Sequence, residues 1–172
     1  MNENSTSDLV QIVTFDDKYS DAFARLNLEW LEGYELIEDL DRKYLEHPRE
    51  TILDKGGEIF FALIDGTVVG TGAAVVHDER TIELAKLAVD GNARGRGIGQ
   101  RLTETVIDWA RQRGADKVVL VSSTKLKTAL RLYERLGFVY CPLPADTGYE
   151  TADIYMELVF RRAHSNAGSI TQ

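Results

Sequence analysis

Three glycines stand at every second position in the segment Arg94-Gly95-Arg96-Gly97-Ile98-Gly99. The preceding stretch predicts a strand and the following stretch an amphipathic helix. Glycine lacks a Cβ, so the backbone can take positive φ and approach a ligand closely. The first-turn N–H groups of the helix are unpaired and lie at the positive end of its dipole. The pattern predicts a socket for phosphate or pyrophosphate with Arg94 and Arg96 at its rim; the alternative is a tight connection with two solvated arginines.

Elsewhere the residue types give no pattern typical of a metal centre. The chain has three histidines and one cysteine, scattered along the sequence. A structural or catalytic metal needs such ligands clustered at characteristic spacings. His47 and His77 adjoin predicted turns and are expected to be exposed, and Cys141 is expected to be a small packing residue. We therefore predict no metal site.

Composition limits the classes of partner. The chain has 172 residues, of which 44% are hydrophobic and 28% charged, and a net charge of −8. These values fit one soluble globular domain, and the negative charge argues against nucleic acid or an anionic membrane as the main partner. No apolar stretch is long enough to cross a bilayer, and the N-terminal residues lack the pattern of a signal peptide. We expect a cytoplasmic protein with a disordered N-terminus (1–8), one domain (9–160) and a polar tail (161–172).

Periodicity and turn residues predict the order of the elements around the loop. Strand patterns alternate or run apolar, helical patterns repeat every three or four residues, and glycine or proline separates them. The predicted strands are 9–15, 58–64, 67–76, 81–89, 117–121, 138–140 and 154–158, and the predicted helices begin near 16, 36, 98 and 128. Gly70 and Gly72 indicate a bulge or a close approach of the backbone. The result is an α/β (α+β) fold, with a mixed, mostly antiparallel sheet of about six or seven strands and one right-handed β-α-β crossover that carries the glycine loop.

This order, with the glycine loop at the crossover, resembles the GNAT superfamily of acyl-CoA-dependent N-acetyltransferases. A second segment of the chain, Ala129 to Phe138, is similar to the family motif A-x-x-L-Y-x-x-x-G-F. The resemblance covers about residues 9–159. It implies a GNAT fold and an enzyme that transfers an acetyl group from acetyl-CoA to a primary amine by direct attack, without a covalent enzyme intermediate.

The resemblance also implies how coenzyme A is held. The glycine loop would bind the pyrophosphate, and the end of the strand before it would pair with the pantetheine arm through its backbone. The implied cofactor-binding residues are Leu87, Ala88, Val89, Arg94, Gly95, Arg96, Gly97, Ile98, Gly99, Thr124, Lys127 and Tyr133. The family often has an asparagine seven residues before the motif tyrosine, where this chain has Leu126; Ser123 or Thr124 is a substitute, and Lys125 or Lys127 could meet the 3′-phosphate.

Two catalytic roles follow from the same resemblance. Tyr133 matches the position of a tyrosine that protonates the departing thiolate, although it could also simply pack beside Leu130 and Phe138. Glu83 matches a carboxylate that takes a proton from the amine. Alternatively, Glu83 is an ordinary solvated glutamate on a strand. A bound water or an already neutral amine would also serve, so the reaction does not strictly require a residue as base.

The acceptor is less defined by the sequence. The first two helices and the long closing connection, which joins the predicted strands 138–140 and 154–158, would form the acceptor site. The candidates for contact are Trp30, Tyr34, Glu38, Tyr149 and Glu150. Acidic residues on these helices could attract a cationic amine, or they could form an ordinary solvated face. A small-molecule or peptide amine fits, and a homodimer is one arrangement that the sequence allows.

Two other classes of function compete with an acetyltransferase. A non-catalytic acyl-CoA-binding sensor or scaffold would keep the loop but could lose Tyr133 and Glu83. A nucleotide-binding domain of another type is disfavoured, because Gly99 is followed by Gln100-Arg101 rather than by the Lys-Ser/Thr of a Walker loop. The glycine loop also follows an antiparallel meander, whereas a dinucleotide fold places it after the first strand of a parallel sheet.

Overall fold

The computed structural model describes residues 9–161, so the expected disordered N-terminus and all of the expected tail beyond Arg161 lie outside the described residues. The strands are β1 (Gln11–Thr14), β2 (Glu58–Ile64), β3 (Thr67–Asp78), β4 (Thr81–Val89), β5 (Lys117–Ser122), β6 (Val139–Cys141) and β7 (Ile154–Val159). The helices are α1 (Ser20–Gly33), α2 (Asp39–Glu46), α3 (Ile98–Gln112) and α4 (Lys127–Arg135), with short helical turns at Asp17–Tyr19, Arg49–Leu53 and Gly91–Ala93.

The strands form one seven-stranded sheet in the order β1-β2-β3-β4-β5-β7-β6. Every neighbouring pair is antiparallel except β4 and β5, which are parallel. A parallel pair needs a crossover connection, and α3 supplies it. The predicted mixed sheet with a single crossover around the glycine loop is therefore confirmed.

Helices cover both faces of this sheet. On one face α3 buries Leu102 and Val106 against Ile82 and Leu120. On the other face, Phe23 of α1 packs with Phe61 of β2, with their rings 6.5 Å apart at 80°. The part of β4 that precedes the glycine loop thus runs between two packed layers.

Gly70 and Gly72 of β3 were expected to mark a bulge or a close approach, and Gly70 marks a close approach. A Cβ at Gly70 would lie 2.9 Å from Cγ2 of Ile98 and 3.0 Å from Cδ1 of Leu102. The absence of a side chain lets the first turns of α3 rest directly on β3. This contact fixes the N-terminus of α3 beside the end of β4.

The second helix was predicted to begin at Leu36, which is wrong by three residues. It begins at Asp39, because Glu38 and Asp41 form a capping box in which the carboxylate of each residue accepts the backbone N–H of the other. The prediction also ended β3 at Val76, whereas the strand continues to Asp78. The helical turn Arg49–Leu53, which follows Pro48, was not predicted.

Among residues 9–161, no helix is both long enough and apolar enough to cross a membrane.

Candidate active site

The parallel strands β4 and β5 separate after only three residue pairs. Their register runs from Thr81 opposite Lys117 to Glu83 opposite Val119. Beyond this point β5 continues in its pairing with β7, while residues 84–89 of β4 have no partner on the side of β5. The separation leaves an open strand edge that points towards the start of α3.

A cavity of about 370 Å³ occupies this opening. The volume lies in the range of small-molecule and cofactor sites, about 300–1,000 Å³. Its wall combines the open edge of β4, the glycine loop, the first turn of α3, the start of α4 and one side of α1. The predicted site residues that line it are Trp30, Glu83, Leu87, Ala88, Val89, Arg94, Gly95, Gly97, Ile98, Gly99, Tyr133 and Tyr149.

The glycine loop has the backbone conformation that its composition predicted at two positions. Gly95 has a φ of +77° and Gly97 a φ of +73°, both in the left-handed region. Gly97 is the N-cap of α3, and no side chain caps the helix. The bond from the N–H of Arg101 to the carbonyl of Gly97, 3.1 Å long, spans the first turn. The N–H groups of that turn precede the helical ladder, and their residues line the cavity.

The cationic residues at the rim differ in their positions. The guanidinium of Arg94 lies over the ring of Trp30 at 4.8 Å, so α1 holds it beside the loop. Arg135, at the end of α4, also lines the cavity, whereas the exposed Arg96 does not. Arginine side chains therefore line the cavity from two elements, the glycine loop and α4.

One residue of β4 breaks the ladder with β3. Thr71 lies opposite Ala88 and Ala73 opposite Ala85, so β4 carries one extra residue in this interval. Lys86 within it has a φ of +53°, and such bulges are frequent beside active sites. Its ammonium pairs with the carboxylate of Asp41 and donates to the hydroxyl of Tyr149 at 2.9 Å.

Glu83 lies near the point where the strands separate. Its side chain is 14% exposed, and its Oε2 lies 2.6 Å from Nε2 of His77. Within the described residues its other oxygen, Oε1, has no hydrogen-bond partner. Burial, and after it the negative charge of Glu83, raises the pKa of Tyr44. The same carboxylate adds to the raised pKa of Tyr149 and of Tyr155, where burial is again the main cause.

Tyr133 combines the two roles that the sequence left open. It is 7% exposed and its ring lies 5.8 Å from that of Phe138, so it packs in the core. It also lines the cavity. Burial raises the pKa of this phenol above its ordinary value, so it stays protonated at neutral pH.

The start of α4 departs from the expected cofactor contacts. Ser123, Leu126 and Thr128 line the cavity, whereas Thr124 and Lys127 are exposed and lie outside its wall. Asp153 accepts from both the N–H and the hydroxyl of Thr124, each at 2.8 Å. Of the two hydroxyls considered as a substitute for the missing asparagine, Ser123 is the one at the cavity.

The expected acceptor contacts are also only partly brought together. Trp30 and Tyr149 line the cavity. Tyr34 packs against Trp30, with their ring centroids 5.2 Å apart, and does not line the cavity. Glu38 and Glu150 lie outside the wall and meet each other, since the carboxylate of Glu38 accepts the N–H of Glu150 at 2.7 Å. Glu38 thus binds the closing connection by a hydrogen bond and does not form part of the cavity wall.

Asn27, Lys86 and Arg135 line the wall but were not among the predicted site residues, whereas Asp41 lines it as one of the acidic helix residues considered for attracting the acceptor. Asn27 is 2% exposed, and its amide donates to the carbonyl of Phe23 at 3.0 Å. Lys86 carried a usable signal, because it is a charged residue inside the apolar end of a strand.

Known proteins with similar sequences are acetyltransferases. N-acetylaspartate synthetase of Rattus norvegicus is 36% identical over 101 residues, which are 58% of this chain and 31% of that protein. N-acetyltransferase 8 of Rattus norvegicus is 34% identical over 105 residues, 58% of this chain and 44% of that protein. The matched regions thus span less than half the length of both curated relatives.

Solved structures extend the similarity to nearly the whole fold. A GNAT-family acetyltransferase of Staphylococcus aureus Mu50 superposes with a TM-score of 0.81 at 21% identity, covering 89% of this chain and all of that one (100%). The Salmonella typhimurium protein yncA, solved with its cofactor acetyl-CoA, gives a TM-score of 0.70 at 21% identity over 92% of this chain and 99% of that one. At these identities the structures show a shared fold.

The family model described as "Acetyltransferase (GNAT) family" matches residues 21–138, from α1 to the end of the motif around Tyr133. This range includes the separated strands, the glycine loop and most of the cavity wall. The chain belongs to the GNAT family of acetyltransferases.

Proposed function

We propose that the protein transfers an acetyl group from acetyl-CoA to a primary amine. The observation that carries this proposal is the cavity between β4 and β5, where an anion socket, an open strand edge, a carboxylate and a protonated phenol line one space. The presence of both Glu83 and Tyr133 on its wall favours an enzyme over a non-catalytic acyl-CoA-binding module.

The residues of the loop fit the pyrophosphate of coenzyme A. Gly95 and Gly97 have positive φ, and beyond their adjacent residues no heavy atom lies within 4 Å of where a Cβ would stand; both line the cavity. The uncapped first turn of α3 offers N–H donors at the positive end of the helix dipole. Arg94 and Arg135 supply positive charge beside them. When bound, acetyl-CoA supplies the acetyl group as an activated thioester.

The open edge of β4 suits the pantetheine arm and the acyl carbonyl. Leu87, Ala88 and Val89 line the cavity without a partner strand on that side, so their backbone groups can pair with the amides of the arm. A backbone N–H in this stretch would stabilise negative charge on the acyl oxygen during attack. The bulge at Lys86 sets the direction of these groups.

Two side chains are assigned to proton transfer. Glu83 takes a proton from the acceptor amine through Oε1, which has no hydrogen-bond partner among the described residues. Tyr133 gives its phenolic proton to the departing thiolate, and burial keeps that proton in place until it is needed. Each role requires the group to come within hydrogen-bond reach of its reacting atom, and both groups lie on the wall of the cavity that would hold those atoms.

The acceptor is a small-molecule or peptide amine that enters between α2, β4 and the connection from residue 142 to 153. This side of the wall holds charges of both signs, on Glu83, Asp41 and Lys86. The relatives include enzymes named N-acetylaspartate synthetase, so amino acids with a second charged group are the first acceptors to test.

Titration calorimetry with acetyl-CoA, with NAD and ATP as controls, tests the cofactor. A panel of amino acids, polyamines and lysine peptides, read by thiol release, then tests the transfer. Selective binding of acetyl-CoA and amine-dependent thiol release would support the proposal. Binding without release on any amine would favour the non-catalytic module, and an absence of binding would overturn both.

A further inference from the structure

His77 occupies a bulge of β3 directly beside Glu83. Val76 lies opposite Ile82 and Asp78 opposite Thr81, so His77 is the extra residue between two paired positions. A bulge of this kind re-aims a side chain. Here the imidazole Nε2 comes within 2.6 Å of Oε2 of Glu83.

We propose that His77 carries to bulk solvent the proton that Glu83 takes from the acceptor amine. This inference rests on the proposed function and adds a residue to it. His77 does not line the cavity, so it is a positioning and relay residue rather than a catalytic one.

The exposure of the two side chains supports a path in this direction. Glu83 is 14% exposed and borders the cavity, whereas the side chain of His77 is 51% exposed. A carboxylate enclosed beside bound substrates needs an outlet for its proton before the next turnover. Imidazole suits this step because its ordinary pKa lies close to neutral pH.

The other titratable groups around Glu83 do not offer that outlet. Tyr44 of α2, Tyr149 of the closing connection and Tyr155 of β7 are kept protonated by burial and neighbouring carboxylates, which raise the pKa of Tyr155 to about 12. Lys86 of β4 pairs with Asp41.

On β5 and β7, Lys117 and Glu157 pair with each other at 2.7 Å. Asp78 adjoins His77, and its negative charge adds to the raised pKa of that imidazole, for which the hydrogen bond to Glu83 is the first cause. Among these groups, His77 alone contacts Glu83 through a hydrogen bond in the described structure.

The proton balance is simple. The ammonium form of the acceptor loses a proton to Oε1 of Glu83 and becomes a neutral amine. Glu83 returns to the carboxylate as neutral His77 accepts a proton at Nε2. The imidazolium then releases the proton of Nδ1 to water, and proton exchange with solvent at the half-exposed ring restores the Nδ1–H tautomer before the next turnover. The net change is transfer of one proton from the amine to solvent.

Replacement of His77 tests the relay. We expect His77→Ala to lower kcat about tenfold, less than the roughly 100-fold or more expected for a direct acid–base group because His77 acts through Glu83, with the KM for the amine nearly unchanged. Added imidazole should restore kcat in a saturable manner, because the half-exposed position admits it. His47→Ala, which removes another exposed histidine, is the control and should retain kcat without a response to imidazole.

His77→Gln separates relay from support. Glutamine can hold Glu83 by a hydrogen bond but cannot exchange a proton near neutral pH, so kcat should stay low and imidazole should not restore it. Full activity of His77→Gln would overturn the relay and leave a structural role only.

NMR titration of His77 without any ligand gives a readout that is independent of activity. The hydrogen bond that His77 donates to the carboxylate of Glu83 raises the pKa of His77, so Glu83→Gln should lower this pKa towards the ordinary value. No difference between the two proteins would overturn the proposal. An active wild type whose kcat survives His77→Ala would overturn the relay alone, whereas a wild type inactive on every amine would overturn the proposed function and the relay with it.

Discussion

Lys86 and Asp41 form an ion pair between the bulge of β4 and the first turn of α2, and their side chains are only 7% and 4% exposed. The other oxygen of Asp41 accepts the N–H of Glu38 at 2.9 Å, so the same carboxylate caps the helix and neutralises the lysine. The ammonium also lies over the ring of Tyr44 at 5.4 Å. The pair thus joins α2 to the strand whose backbone borders the cavity.

Removal of one partner should destabilise the fold strongly. Asp41→Asn leaves the ammonium of Lys86 buried without its counter-charge, which costs about 3–5 kcal/mol in comparable pairs. Urea unfolding should show this as a lower midpoint. Asp39→Asn, an exposed carboxylate on the same helix, is the matched control and should stay close to the wild type.

The double variant Lys86→Met with Asp41→Leu gives the sharper comparison. It removes both charges, so it should be more stable than Asp41→Asn alone. If Asp41→Asn unfolds like the wild type, the pair does not hold the bulge to α2.

Replacement of Gly97 tests the anion socket. Gly97→Val puts a β-branched residue at a φ of +73° and a Cβ into open space at the cavity. We expect the loss of at least two N–H contacts to a charged ligand, about 1.5–3 kcal/mol each, and hence a fall in acetyl-CoA affinity of two orders of magnitude or more. Calorimetric titration measures it.

Gly66→Val is the control for backbone strain. Gly66 has a φ of +78° and also has open space around a Cβ, but it lies in the turn between β2 and β3. The two variants should lose similar stability, while only Gly97→Val loses acetyl-CoA. Equal binding by both variants would contradict the socket.

The glycine loop and Tyr133 could be identified from the sequence because their signals are local. The loop is recognised by three glycines at every second position. The tyrosine is recognised by its fixed place in a ten-residue segment that includes a helix end. Backbone conformation of this kind follows from residue type within a few positions. The structure then adds the cavity that brings the two segments together.

The ion pair and the histidine contact could not be identified in this way. Asp41 and Lys86 are separated by 45 positions along the chain and meet only because the fold brings the first turn of α2 to the bulge of β4. His77 was expected to be a solvated turn residue, and it reaches Glu83 because a bulge extends β3 past the predicted end at Val76. Bulges depend on pairing between strands, which periodicity within one strand does not determine.

Loss of the phenolic hydroxyl of Tyr133 should affect turnover rather than binding. Tyr133→Phe keeps the ring against Phe138 and removes only the proton donor, so we expect kcat to fall about 100-fold, as for loss of a general acid. The dissociation constant of acetyl-CoA should change little. Because burial raises the pKa of Tyr133, its deprotonation should not produce an alkaline limb between about pH 6 and 9 in the wild type.

Tyr140→Phe is the matched control for this variant. Tyr140 lies on β6, half exposed, and its hydroxyl donates to Glu134 rather than reaching the cavity. Steady-state kinetics with both variants should separate them. An unchanged kcat for Tyr133→Phe would assign the tyrosine to packing alone.

Glu38 should govern how firmly the closing connection is held. Its carboxylate accepts the N–H of Glu150 at 2.7 Å and the N–H of Thr151 at 3.1 Å. Burial acts to raise the pKa of Glu38, but the hydrogen bonds from Thr151 and Glu150 outweigh it and lower the pKa below its ordinary value of 4.5. The stabilisation is therefore complete above that value and is lost as the pH falls through the lowered pKa.

Glu38→Ala should accordingly release the connection at neutral pH. Each hydrogen bond to a charged carboxylate contributes about 1.5 kcal/mol or more, so hydrogen exchange at the amides of Glu150 and Thr151 should accelerate about tenfold. The wild type should show the same acceleration only in acid, below the lowered pKa. Glu46→Ala, at the exposed end of the same helix, should leave the exchange of both amides unchanged. Protection that persists in Glu38→Ala would mean that the contacts of Tyr149 with Lys86, rather than Glu38, hold the connection over the cavity.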